Sequence, residues 1–263
     1  ASVAAARLLG LDAAGIVAAQ GIAASTASGV QVFLEEGAWT KRFHPGWAAV
    51  AGITAAHLAR AGFKAPTRPY EGRFGLFETH LQHPEHPVDV PAQLRTLGTV
   101  WELAETAIKP YPVCHFIHGC ADAAIELSRT LTVDQIDRVE AYLPKDTLPI
   151  VAEPAASKQR PANEYEAKFS AHFVVATCLR KGAFGLADLL PAALVDPDTL
   201  ALSARVSCHV DEDSAFPTYF SGGLRVYLRD GSVRALHVRV NSGAGERARS
   251  APGCRGPPGL RAA

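Results

Sequence analysis

The stretch LRVYLRDGSVRALHVRV, residues 224–240, constrains this chain more than any other. Apolar and polar residues alternate on both sides of Asp230-Gly231, the pattern of two strands joined by a tight turn. Two further stretches read as strands, RVEAYL at 138–143 and ARVSCHV at 204–210. Helical patterns lie among them, at 118–129 and at 164–179 (EYEAKFSAHFVVATCL). The second half of the chain therefore reads as α+β with an antiparallel sheet.

The first half has a different character. Residues 1–108 are rich in Ala and Leu and show no strand-like alternation, so they read as all-helical. The clearest helix is expected at 45–61, with Trp47, Val50, Ala51, Leu58 and Ala61 on one apolar stripe. Pro45 suits its first turn and Gly62 its C-terminal stop. Shorter helical pieces fit 73–81 and 100–107, and His80, His83 and His86 fall near Pro84 and Pro87 in an expected surface loop. The last stretch, SGAGERARSAPGCRGPPGLRAA, has no period and reads as disordered by composition. The expected divisions are a helical domain at 1–108, a smaller α+β domain at 109–242 and a disordered tail at 243–263.

Bulk properties narrow the function classes. Of 263 residues, 48% are hydrophobic and 20% charged, as expected of a soluble globular protein. The 26 basic and 26 acidic residues balance, so nothing global favours nucleic acid or an anionic membrane. Residues 13–34 carry no formal charge on Asp, Glu, Lys or Arg until Glu35, but Gln20, Ser25, Thr26, Ser28 and Gln31 interrupt them. Buried, closely packed helices are expected there in place of a membrane span. Five cysteines without regular pairing fit a reducing compartment, and a cytoplasmic location is expected. The sequence contains no Met and opens on ASVAAARLLG, which already looks like helix interior, so part of a longer protein is expected.

Two clusters could carry chemistry. In TKRFHPGW, Lys41 and His44 stand directly before the expected helix start at Pro45. Helix N-termini offer unpaired N–H groups and a positive dipole end, so the three features suit an anion. The plain alternative is a solvated basic loop. In KPYPVCHFIHG, Lys109 leads an extended run forced by two prolines, and His118 opens the next helix, with Cys114 and His115 between. Two such sites suit a ligand with two or more carboxylates. A lysine in an apolar pocket can act as a base, and a histidine can pass a proton near neutral pH. The Cys114-His115-x2-His118-x-Cys120 spacing matches none of the usual zinc patterns, and no metal is expected. Neither a Gly-rich nucleotide loop nor a G-x-S-x-G elbow is present, so no cofactor is expected. Cys178 and Cys208 lie in apolar segments and read as core.

Taken in order, WTKRFHPGWAAVAGITAAHLARAGF, EGRFG at 71–75, KPYPVCHFIHGCADAAIEL and EAKFS at 166–170 resemble the MmgE/PrpD family, over roughly residues 1–242. That family includes 2-methylcitrate dehydratases, cis-aconitate decarboxylases and an epimerase of iminodisuccinate. The resemblance implies a large helical domain, a smaller α+β lid domain and an active site in the cleft between them. It implies a homodimer, and a small di- or tricarboxylic acid handled without metal or nucleotide. It places Lys41, Lys109 and His118 among the catalytic groups, with His44, Cys114 and His115 as substrate-binding neighbours. The expected reaction is lyase chemistry of the 2-methylcitrate dehydratase kind, by abstraction of a proton α to a carboxylate.

The departures are specific. Family members are considerably longer and carry an acidic residue and a histidine of the site in an N-terminal portion not seen here. Decarboxylase-type members have a histidine where this chain has Cys114 and a tyrosine where it has Phe173. Both differences count against cis-aconitate decarboxylation. The resemblance stops near Asn241, where further helices are expected, and a shifted reading frame would produce such a tail. A catalytically inactive remnant and a dicarboxylic acid epimerase are the alternatives.

Overall fold

The computed structural model describes residues 1–81, 88–101, 103, 106–244 and 247. The expected loop at His83 and His86 and nearly all of the expected disordered tail lie outside the described residues. The chain divides into two compact units, Ala1–Val100 and Trp101–Ala263.

In the first unit the helices are α1 (Ser2–Leu8), α2 (Ala13–Ala24), α3 (Phe33–Glu36), α4 (Thr40–Arg60), α5 (Leu76–His80) and α6 (Val90–Leu94). Asp12 starts α2, its carboxylate accepting from the Gly15 N–H at 2.8 Å. Gln20, one of the polar residues in the charge-poor stretch, is satisfied by the Tyr70 hydroxyl at 2.8 Å. Among the described residues no helix is long and apolar enough to cross a membrane.

Helix α4 corrects two expectations. It begins at Thr40, so Lys41, Arg42 and His44 are part of its first turns and do not precede them. Pro45 lies inside the helix; its fixed φ suits helical backbone, although it cannot donate the usual bond to the carbonyl four residues back. The buried seam is also different. Gly52, Ala55 and Ala56 are buried, with Ala56 against Ala6 of α1 and Ala19 of α2. Trp47, Val50 and Leu58 are 42%, 53% and 37% exposed. Close helix approach selects small residues: a Cβ added at Gly52 would lie 2.5 Å from the Cβ of Ala1. The expected stop holds, with Gly62 at φ +80° ending the helix.

The second unit is α+β. Its elements are α7 (His118–Leu127), β1 (Ile136–Leu143), α8 (Leu148–Val151), α9 (Ala155–Gln159), α10 (Glu164–Ala167), α11 (Ala171–Lys181), α12 (Pro191–Leu194), α13 (Pro197–Ser203), β2 (Val206–Val210), β3 (Gly222–Leu228) and β4 (Val233–Val238). The sheet order is β2-β1-β3-β4. The hairpin is present with Tyr227 opposite Val233, and Gly231 takes φ +84° in a loop closed by Leu228 N–H to the Ser232 carbonyl at 2.8 Å.

The sheet is mixed, where an antiparallel one was expected. β1 pairs antiparallel with β3 but parallel with β2. Five short helices and α11 separate β1 from β2, and a helical crossover returns a strand in the same direction. The expected helix at 164–179 is also two helices. Ser170 interrupts it, its hydroxyl accepting from the Phe173 N–H at 2.9 Å to cap α11. The core lies between α7, α11 and one face of the sheet, where Ile136, Val139, Ala141, Leu143, Leu224 and Val226 alternate inward. Cys178 is buried in it, and Cys208 packs half-buried against it.

Candidate active site

Pro110 and Pro112 keep the segment after Lys109 out of any helix. The segment is tied down at Cys114, whose N–H donates to the Lys168 carbonyl at 2.7 Å. One 3-10 turn, His115–Ile117, then leads into α7 at His118. The start of α7 is held against β3 by two glycines. A Cβ at Gly119 would lie 2.5 Å from the Gly222 nitrogen, and one at Gly222 would lie 2.8 Å from the Cys120 nitrogen. This backbone contact encloses His118.

The result is a compact group of cationic and imidazole side chains. The His118 ring is fully buried, edge-on to Tyr111 with centroids 5.2 Å apart and 4.5 Å from His115. Neither ring nitrogen of His118 has a hydrogen-bond partner among the described residues. His115 is half-buried, lies 4.3 Å from the Phe220 ring, and its Nε2 meets the Asn241 amide nitrogen at 2.9 Å. Exposed Lys109 donates from Nζ to the Val113 carbonyl at 3.3 Å.

Electrostatics keep both rings neutral. Burial, then the Lys109 cation, lowers His115 from 6.5 to about 4. Burial, then His115 and Lys109, lowers His118 to about 3; the nearby Val113 carbonyl, short of regular hydrogen-bond geometry to the ring, opposes this most weakly. One turn further along α7, buried Asp122 accepts from the Tyr111 hydroxyl at 2.6 Å and the Ser242 N–H at 2.6 Å, and Arg247 stands 3.5 Å away. Asp122 thereby holds the aromatic wall over His118.

Four expected site residues, Lys109, Cys114, His115 and His118, thus gather in the second unit. The other two, Lys41 and His44, are in the first. Lys41 is exposed on the first turn of α4, and His44 packs edge-on to Phe33 at 5.7 Å. His44 lines a cleft of about 550 Å³ with Thr40, Phe43, Trp47 and Ser28. Among the described residues no group of three or more His, Cys, Asp or Glu is arranged to hold a metal ion. Cys120 points away from the histidines, its thiol on the Tyr142 carbonyl at 3.3 Å.

Sequence reasoning missed Asp122 and Asn241. Asp122 had a signal, since it lies four residues from His118 on the same helix face. Asn241 is 126 residues from His115, and no local pattern marks it.

Comparison with known proteins fits this division. Residues 1–88 match the MmgE/PrpD N-terminal domain and residues 111–255 the MmgE/PrpD C-terminal domain. The chain belongs to the MmgE/PrpD family. The N-terminal match contains Lys41 and His44; the C-terminal match contains Cys114, His115 and His118, and begins two residues after Lys109. Two curated relatives are similar. One is the cis-aconitate decarboxylase-like protein oryM of Aspergillus oryzae, 26% identical over 242 residues, covering 89% of this chain and 50% of the relative. The other is the cis-aconitate decarboxylase of Homo sapiens, 24% identical over 198 residues, covering 74% of this chain and 40% of the relative. The chain spans half or less of the length of these MmgE/PrpD relatives.

Proposed function

We propose that this chain is part of an MmgE/PrpD-type lyase that acts on a small di- or tricarboxylic acid by removing a proton α to a carboxylate. The observation that carries the reading is the pair of neutral imidazoles, His115 and His118, beside the Lys109 ammonium at the start of α7. Lys109 would bind a carboxylate and offset the charge of an enolate-like intermediate. Lys41 and His44 of the first unit are proposed as carboxylate-binding groups in their own right. His118 is the group proposed for proton transfer, and His115, the ring of the pair that reaches solvent, is its substrate-binding neighbour.

Dehydration of the 2-methylcitrate kind is the preferred reaction, over the decarboxylation named for the two relatives. Cys114 and Phe173 support this preference, since neither supplies the histidine or the tyrosine of decarboxylase-type members. Phe173 is buried against Phe184, in an apolar setting that a phenol would have to leave or satisfy.

The test follows deuterium wash-in at the α carbon by NMR, with 2-methylcitrate, citrate and cis-aconitate offered to the chain in D₂O. Exchange accompanied by a new carbon–carbon double bond supports the dehydratase. Exchange with the hydroxyl retained favours the epimerase class. Release of carbon dioxide from cis-aconitate, with one deuteron taken up in its place, and no dehydration of the hydroxy acids overturns the reading. Absence of all three supports an inactive remnant, a reading favoured by the exposed apolar face of α4 at Trp47, Val50 and Leu58.

A further inference from the structure

We propose that Asn241 is a positioning residue that fixes the tautomer of His115, so that this ring offers an N–H donor at Nδ1. Asn241 follows β4, is fully buried, and reaches His115 with its side-chain amide. Two backbone groups set which way that amide faces. The Phe220 N–H donates to Oδ1 at 3.3 Å, and Nδ2 donates to the Ser242 carbonyl at 3.2 Å. A flipped amide would set N–H against N–H and carbonyl against carbonyl at these two contacts.

The atom facing His115 is therefore Nδ2, a donor, 2.9 Å from the ring's Nε2. A donor needs a lone pair, so Nε2 carries no proton and the neutral ring is protonated at Nδ1. The same contact opposes a second proton, because imidazolium would turn an N–H toward the amide N–H. Lys109 from the preceding segment acts in the same direction, and His118 from α7, 4.5 Å away, is itself neutral. Phe220 and Asn241, which also touch the ring, are neutral.

The chemical consequence concerns ligand class. The lone pair of His115 is occupied by Asn241, so a ligand that meets the remaining nitrogen meets a hydrogen-bond donor. That suits a carboxylate oxygen or a departing hydroxyl and does not suit an ammonium or another N–H. The effect on turnover rests on the lyase reading above, whereas the tautomer does not.

The experiment is long-range ¹H–¹⁵N NMR of the chain labelled in histidine, between about pH 5 and pH 8. The expected result is a His115 signal with protonated Nδ1 and bare Nε2 throughout. Asn241→Asp replaces the donor by a carboxylate, so it should move the proton to Nε2 and raise the titration midpoint of His115 by roughly one to three pH units. A wild-type ring protonated at Nε2 overturns the proposal, and that reading needs no variant to fold. A folded Asn241→Asp chain with unchanged tautomer and midpoint also overturns it, since a merely structural role would leave both alone. Loss of deuterium exchange with the Nδ1–H tautomer intact would sink the lyase reading only.

Discussion

His118 should cost this protein stability, and the cost should grow with acid. Its ring is fully buried and neither nitrogen makes a hydrogen bond of regular geometry among the described residues, although the Val113 carbonyl stands near enough to favour a proton weakly. Leucine has similar bulk and no polar atom, so His118→Leu should stabilise the folded chain by about 1–3 kcal/mol near pH 8, the usual penalty of a buried unsatisfied group. The folded ring titrates at about 3, the unfolded one near 6.5. As pH falls below 6.5 the unfolded chain therefore takes up the proton first, and wild-type stability drops while the variant escapes this loss. At about 1.4 kcal/mol per pH unit, the gap widens by roughly 2 kcal/mol at pH 5 and by at most about 5 kcal/mol at pH 3. The contribution of the neutral ring is thus fully present above pH 6.5 and lost progressively toward pH 3. Urea unfolding followed by far-ultraviolet circular dichroism, at matched ionic strength, measures the gap at each pH. A gap that stays constant, or that narrows on acidification, refutes the reasoning, because narrowing means that the folded ring holds its proton beside an anion. Any activity seen in the wild type should be lost in the variant.

Three further outcomes are expected. Gly119→Ala should destabilise the second unit by about 3 kcal/mol, because its Cβ would strike the backbone of Ser221 and Gly222; thermal unfolding checks this, and a neutral effect would show that α7 can lift from β3 without loss. Ser170→Ala removes the α11 cap and the hydrogen bond from its hydroxyl to the Lys158 carbonyl, at a cost of about 2 kcal/mol by urea titration, and the loss should appear as earlier melting of helix signal. Alkylation mapped by mass spectrometry near pH 8 should modify half-buried Cys114 well before Cys120 and Cys178, whose thiol pKa values burial pushes up; Cys208, pushed by burial up to about 12, should also be slow. Equal rates for the four would mean that the core opens on the labelling timescale.

Some of this structure was legible because the pattern and the physical cause coincide. Strand alternation in LRVYLRDGSVRALHVRV specifies a one-sided sheet face, and β3 and β4 form where it predicts. Pro110 and Pro112 forbid helix on local grounds, so the extended approach to α7 followed from sequence. The α4 seam departs from the stripe of large apolar residues because the packing is made by Gly52, Ala55 and Ala56, whose value is absence of bulk. The parallel pairing of β1 with β2 depends on where a long crossover returns, which alternation does not encode. Asn241 is the extreme case. Its role exists only through a contact spanning 126 residues and through two backbone groups that orient its amide.

The charge balance of the second unit sharpens what such a site can be. His115 and His118 lie near Lys109, and each is held neutral chiefly by burial and further by that lysine. His172, also fully enclosed, is lowered to about 4 by burial and then by Lys158, itself buried and lowered by burial although Glu166 and Cys114 pull the other way. A fold selected for stability alone would fill such positions with apolar side chains, since each suppressed histidine charge is a penalty waiting in acid. Asp122, a buried carboxylate one turn along α7 from His118, is already committed to Tyr111, Ser242 and Arg247. An anion beside Lys109 would relieve its repulsion on both rings, whereas a cation would add to it. The same asymmetry gives Asn241 its significance, because a neutral ring that shows its N–H is ready to bind that anion before any proton has to move.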